Sequence, residues 1–335
     1  MQNAVPPWRA ERPWLAGTIV CDGLLPWANG MLPPGASLSE QLRRFHLNGV
    51  DHISLTAAAG DEGSAAALAR LGFLRRELRQ YGDFVVVAHD LGEMQSAKAQ
   101  GKLSVAFHFQ SATPFAGDLD LVDAFFAAGI RRAILAYNEA NVFADGCHEP
   151  RNAGLSTLGR RLVERMDQVG MLIDMSHCGE RTSFDCMEAP LSRAPVFSHS
   201  NARGIYDHER NITDEQIRAC ARRGGYIGVN GVGFFLGATG AAIPEAVAEH
   251  AAHIAMIAGA DCVGLGLDFM FLEGSDYGFY HRAKGRWPRG YPEPPWSFLQ
   301  PEQFGDLVRA LEKKGFSQDE LKGLLGANYL RLAHA

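Results

Sequence analysis

Short apolar runs rich in β-branched residues alternate with longer amphipathic stretches along the chain, and this alternation constrains the fold more than any other feature of the sequence. The runs lie at 17–22, 50–56, 83–89, 103–109, 131–137, 171–177, 194–200, 225–230 and 262–268. Most are too apolar to face water on either side, which is how parallel strands covered by helices read. Helical patterns fill the spaces between them, among them SLSEQLRRFHLNG, STLGRRLVERMDQVG and TDEQIRACARRGG, and several end in Gly, which best tolerates a left-handed helix C-terminus. Strand and helix repeated about eight times predicts an α/β fold, either a closed barrel or a doubly wound sheet.

The ends of the runs decide between the two. They finish on or beside Asp22, Thr56, Gln110, Tyr137, His177, His199, Asn230 and Asp268, and a barrel brings the C-terminal ends of its strands to one mouth. The expectation is a single (β/α)8 TIM barrel over residues 1–335, with residues 1–16 as an N-terminal extension and C-terminal helices closing the chain. Nine runs compete for eight places; 83–89 is followed at once by the helical LGEMQSAKAQG and is assigned as a surplus, peripheral strand. Residues 271–295, rich in Gly, Pro, Tyr and Trp, read as one long loop and a candidate lid.

Composition narrows the function. A net charge of -6, with Lys and Arg scattered, leaves no basic footprint for nucleic acid. The first twenty residues interleave Pro, Arg and Glu and offer neither the apolar core of a signal peptide nor a membrane span, so no membrane association and a cytoplasmic location are expected. Six cysteines without CxxC spacing read as reduced thiols. The glycines of GVNGVG and GLGL lack the spacing of a dinucleotide loop.

Two residues carry the chemical signal. His177 and His199 each close a buried run, and a neutral imidazole nitrogen binds zinc-class ions without adding charge. His108 and Cys21 read as core instead. The other histidines fall on helices, loops or the peripheral strand and read as surface or packing; His250 and His253 share a helix face but lack the Glu of a zincin helix.

The stretches GIRRAILAYNEANVFADGC, GLSTLGRRLVERMDQVGMLIDMSH, SRAPVFSHSNARGIYDHERNITDEQIRACARRGGYIGVN and GADCVGLGLDF, in that order, resemble the membrane (renal) dipeptidases of peptidase family M19, as does ANYLRL near the end. The likeness runs from about Gly17 to Leu332. It implies a metal-dependent hydrolase that cleaves the amide bond of a dipeptide or related carboxylate-bearing molecule, with one or two divalent ions, zinc in the family, and it admits a homodimer. It implies that His177 and His199 ligate an ion, that Arg210 pairs with the substrate carboxylate, and that Asp268 moves the proton of the attacking water.

Departures from the family pattern accompany the likeness. The His-x-Asp pair of the family's first strand is absent from VCDGLLPW, leaving Asp22 as the candidate there. Gln110 stands where the bridging Glu is expected, and Tyr137 where the family has a His. Tyr137 could hydrogen-bond a developing oxyanion, and Asn138 and Asn230 could orient substrate. Two alternatives stay open on the sequence: a one-metal amidohydrolase of altered substrate, and a barrel that binds a small carboxylate without hydrolysing it.

Overall fold

Eight strands follow one another as β1 (Cys21–Leu25), β2 (His52–Ala59), β3 (Val85–Val87), β4 (Leu103–Gln110), β5 (Ile130–Ile134), β6 (Leu172–Asp174), β7 (Ile227–Val229) and β8 (Val263–Leu265). The structure, a computed structural model, describes residues 5–27, 31–282 and 291–333. β1, β2, β4, β5 and β6 pair in that order, all parallel. β3 branches off as a second partner of the start of β4, the peripheral place expected for 83–89. Single parallel bridges, Asp174 to Val196 and Phe197 to Ile227, carry the sheet through 194–200 to the β7–β8 pair. At the far edge the Asp268 N–H donates to Leu24 O at 3.1 Å, which brings the chain beyond β8 back to β1. The architecture is a curled parallel sheet covered by helices, of the (β/α)8-barrel type.

Helix boundaries follow local chemistry. Ser156 caps the helix Thr157–Val169 by accepting from Gly159 N, and Gly170 ends it in the left-handed conformation. Thr213 and Gln216 form a capping box on Asp214–Arg222, and Ser317 and Glu320 form another on Gln318–Lys322, the second closing helix. The helix Glu180–Glu188 stops where it does because Pro190 forces Ala189 into an extended backbone. Among the described residues no helix is long and apolar enough to cross a membrane.

Regular pairing stops earlier than the sequence runs suggest. β5 ends at Ile134, β6 at Asp174 and β8 at Leu265, and 194–200 is held by two bridges alone. The reason lies a few residues on: Asn138, His177 and Asp268 have φ of 61°, 64° and 54°. Left-handed backbone cannot continue a strand, and Asn, Asp and His are the non-glycine residues that enter it most readily. Three candidate site residues therefore sit on bends at the barrel mouth.

Two glycines let the irregular stave pack. A Cβ on Gly228 or on Gly266 would meet Ser198 O at 2.0 Å, so only hydrogen fits between β7, the residues after β8 and the FSHS segment. Elsewhere the core is apolar, with Ile53, Leu55, Val105, Phe107, Ile134 and Val229 fully buried. His108 is also fully buried, and its two ring nitrogens bond Ser54 Oγ (2.8 Å) and Thr56 Oγ1 (2.9 Å), as a core histidine should.

Candidate functional site

The imidazoles of His177 and His199 face each other at the mouth, Nε2 to Nε2 at 3.0 Å. The far nitrogen of each ring is held: His177 Nδ1 donates to Asn138 Oδ1 at 2.7 Å, and His199 Nδ1 lies 2.7 Å from Ser198 Oγ. An amide oxygen can only accept, so His177 carries its proton on Nδ1 and turns a lone pair toward His199. Burial, with the nearby Arg210 cation, pushes both rings well below the ordinary imidazole range, which keeps them neutral. Tyr137 stacks on His177 with ring centroids 3.9 Å apart and restricts its rotation.

The motif residues around them explain the convergence. Asp174 of IDMSH accepts from the backbone N–H of Ser176 (3.0 Å) and of Ser198 (3.1 Å) through Oδ1, while Oδ2 pairs with Arg132 at 3.1 Å. Ser176 Oγ accepts from His199 N at 3.1 Å. Arg210 then donates to His199 O (2.7 Å) and Ser200 Oγ (3.1 Å). One carboxylate and one hydroxyl thus tie the two histidine-bearing bends together, and one guanidinium braces the second of them.

These residues fit one metal ion better than two. Imidazole nitrogens sharing one tetrahedral zinc stand about 3.3 Å apart, close to the separation seen, and each is backed by a bond to its other nitrogen. The fit ends there: among the described residues no group of three or more His, Cys, Asp and Glu is gathered tightly enough to cage an ion. Asp22 is fully buried, with Oδ1 accepting from Leu24 N (3.1 Å) and Leu267 N (2.8 Å) and Oδ2 without a hydrogen-bond partner. Burial pushes its carboxyl up to about 7. Gln110 is a neutral amide whose Nε2 donates to Thr56 Oγ1 at 2.8 Å.

Asp268 stands on its bend beside this pair, 9% exposed, and burial pushes its carboxyl up to about 7 against the opposing pull of Arg210 and Asn230. Asn230 uses both halves of its amide: Nδ2 donates to Asp268 Oδ2 at 3.0 Å, and Oδ1 accepts from Val232 N at 2.7 Å. Asn138, besides holding His177, donates from Nδ2 to Tyr291 OH at 3.0 Å. Arg210 is buried, its Nε without a hydrogen-bond partner, and it lines a cavity of about 230 Å³ next to His177. Gln110, Tyr137 and Asp268 line a different cavity, which shares His177 with the first.

The family model for membrane dipeptidase (peptidase family M19) matches residues 39–287, about three quarters of the chain. The chain belongs to the membrane dipeptidase family. Among its relatives, an uncharacterized dipeptidase of Schizosaccharomyces pombe is 28% identical over 277 residues, covering 79% of this chain and 61% of the relative. Dipeptidase 3 of Rattus norvegicus is 27% identical over 273 residues, covering 79% and 51%. The first curated relatives matched are longer proteins, of which the chain spans about three fifths. A solved structure, an amidohydrolase from Pseudomonas aeruginosa, superposes with a TM-score of 0.84 at 26% identity, covering 96% of this chain and 97% of its own.

Within this membrane dipeptidase family member, several participants escaped the reading of the sequence. Ser176, Ser198 and Asp174 were legible only as letters of a motif, since a Ser or Asp next to a His carries no signal of its own. Tyr291 and Trp296 come from the long loop after β8, and the other aromatic side chains beside them, Trp27, Phe234 and Phe235, come from two further segments. Residues 283–290, the middle of the candidate lid, lie outside the described residues.

Proposed function

We propose that this protein hydrolyses the amide bond of a dipeptide, or of a related small molecule bearing a carboxylate, at a site that takes one divalent cation, zinc by preference, between His177 and His199. The observation that carries the reading is the pair of neutral imidazoles whose Nε2 atoms face each other at 3.0 Å. The family membership supports it. The six cysteines, none of which is in a disulfide among the described residues, support a reducing, cytoplasmic setting.

When bound, the cation would supply Lewis acidity and lower the pKa of a water to about 7. The remaining work falls to the chain. Asp268, with its carboxyl near 7, is matched to accept a proton from the attacking water and return it to the leaving amine. Asn230 positions that carboxyl through its amide N–H and so acts on substrate through Asp268. Arg210, whose Nε–H is not engaged, offers a buried cation to the substrate carboxylate. Tyr137 serves the developing oxyanion, and Asn138 fixes which nitrogen of His177 is free. Asp22 and Gln110 do not complete the cage of a second ion: one is tied to backbone N–H groups, the other is neutral.

Removal and return of metal tests the reading. Protein stripped with a chelator should lose hydrolysis of dipeptides and regain it with zinc, and His177→Ala should not respond to the metal. Full turnover after stripping would refute metal-dependent hydrolysis.

A further inference from the structure

Two cavities meet at His177, and among the described residues it alone lines both. On one side lies the space of about 230 Å³ where Arg203 and Arg210 stand among Glu149, Glu180 and Glu209. On the other lies a space of about 80 Å³ walled by Trp27, Phe234, Phe235, Met270, Tyr291 and Trp296, with Asp268 at its edge. The walls brace one another: Phe234 stands 5.3 Å from both Tyr291 and Trp296 between ring centroids, and Phe235 meets Tyr291 edge-on at 5.7 Å. A substrate whose scissile bond lies at His177 must place its two halves in these two unlike environments.

We infer that the acyl half of the substrate carries a short, uncharged aliphatic side chain, which enters the aromatic-walled cavity while the carboxylate-bearing half lies on the Arg210 side. The inference rests on the hydrolase reading above and adds the substrate class to it. Size sets the upper limit, because about 80 Å³ is roughly half the ~150 Å³ cavity that accepts benzene. A methyl or a small branched group fits; a ring does not.

Charge sets the other limit. The same cavity is lined by Arg70, which donates to Trp27 O at 2.8 Å and pairs with Glu62, so its charge is matched and an incoming ammonium group meets no uncommitted carboxylate there. Asp268 is the one acid among its described lining residues, and its Oδ2 already accepts from Asn230. A carboxylate side chain would find the Arg70 guanidinium already committed to Glu62 and Trp27 O, and burying such a group without an available opposite charge is unfavourable.

The test is a series of dipeptides X-Ala, with X as Gly, Ala, Val, Phe, Lys and Glu, given to the zinc-loaded full chain. The expected order puts Ala and Val first, with Phe, Lys and Glu lower in kcat/KM by about 10-fold or more. Phe234→Ala, with Phe234→Leu as the milder variant, should enlarge the space and raise Phe-Ala relative to Val-Ala by a similar factor. Binding of the same peptides to metal-free protein, followed by tryptophan fluorescence, supplies a second readout because Trp27 and Trp296 line the space. Absent turnover with the binding order intact would sink the hydrolase reading and leave this inference standing. Turnover or binding that is flat across X, highest for Lys, Glu or Phe, or unaltered in order by both Phe234 variants would overturn the inference; so would no binding at all.

Discussion

His177 donates from Nδ1 to Asn138 Oδ1 at 2.7 Å, and that bond leaves the Nε2 lone pair aimed at His199. Losing it would let the ring rotate or change tautomer. Asn138→Ala should therefore weaken zinc binding by about 10- to 100-fold, as removal of a second partner of a ligating histidine does. Competition against a chromogenic chelator measures this, and an unchanged affinity would mean that Tyr137 stacking alone positions the ring.

Arg210 has two duties that separate kinetically. Its Nη atoms hold His199 O and Ser200 Oγ, while Nε–H is free of protein partners. Arg210→Lys should raise KM for dipeptides by about 10-fold or more, because a point charge cannot brace the loop and bind a carboxylate together. Peptides capped as C-terminal amides should lose much less. Equal losses for both substrate sets would assign Arg210 to bracing alone.

The carboxyl of Asp268 is pushed up to about 7 by burial, so it is largely protonated in mild acid and ionised above neutrality. As the proton acceptor it should make kcat/KM rise as pH passes about 7. Asp268→Asn should remove that rise along with most of the activity. A profile falling through the same range would assign it the opposite role.

Stability has the opposite pH sense. In the unfolded chain Asp22 and Asp268 ionise near 4, whereas in the fold both sit at about 7. The native state holds their protons more tightly, so the stabilisation is complete below the unfolded value and is lost as pH rises through about 7. The buried, neutral His108, His177 and His199 act in the opposite sense, so the carboxyl contribution is read against a variant: from about pH 5 to about pH 8 the Tm of the metal-free parent should fall relative to that of Asp22→Asn. The amide oxygen of that variant can still accept from Leu24 and Leu267. A Tm difference between parent and Asp22→Asn that does not change over this range would contradict the raised carboxyl of Asp22.

The contact of Ser198 O with Gly228 of β7 and with Gly266 just after β8 is a packing constraint. Gly228→Ala places a methyl where 2.0 Å is available, and the cost should reach about 3 kcal/mol or prevent folding. Gly35→Ala is no control, because its φ of 80° strains any side chain. Gly17→Ala meets open space and should be near neutral. Urea denaturation compares the two.

The sequence carried the barrel and the pair of imidazoles because both depend on near-periodic placement: apolar runs ending in polar residues put His177 and His199 on neighbouring bends. It did not carry the early ends of β5, β6 and β8, since Asn138, His177 and Asp268 belong to residue types that enter left-handed backbone more readily than most, but nothing in their identity says where they do so. GVNGVG and GLGL were legible only as something other than a nucleotide loop; the close approach of one glycine from each, Gly228 and Gly266, to Ser198 O is a contact across the chain. The aromatic cavity was hidden for the same reason, as Trp27, Phe234 and Tyr291 are joined by the fold alone.

Metal content of the purified protein, read by elemental analysis alongside His177→Ala and His199→Ala, tests the central claim most directly. The account predicts about one zinc ion per chain in the parent protein, as two imidazoles with open positions allow, and essentially none in either variant. Two ions per chain, or one that survives loss of both histidines, would contradict it.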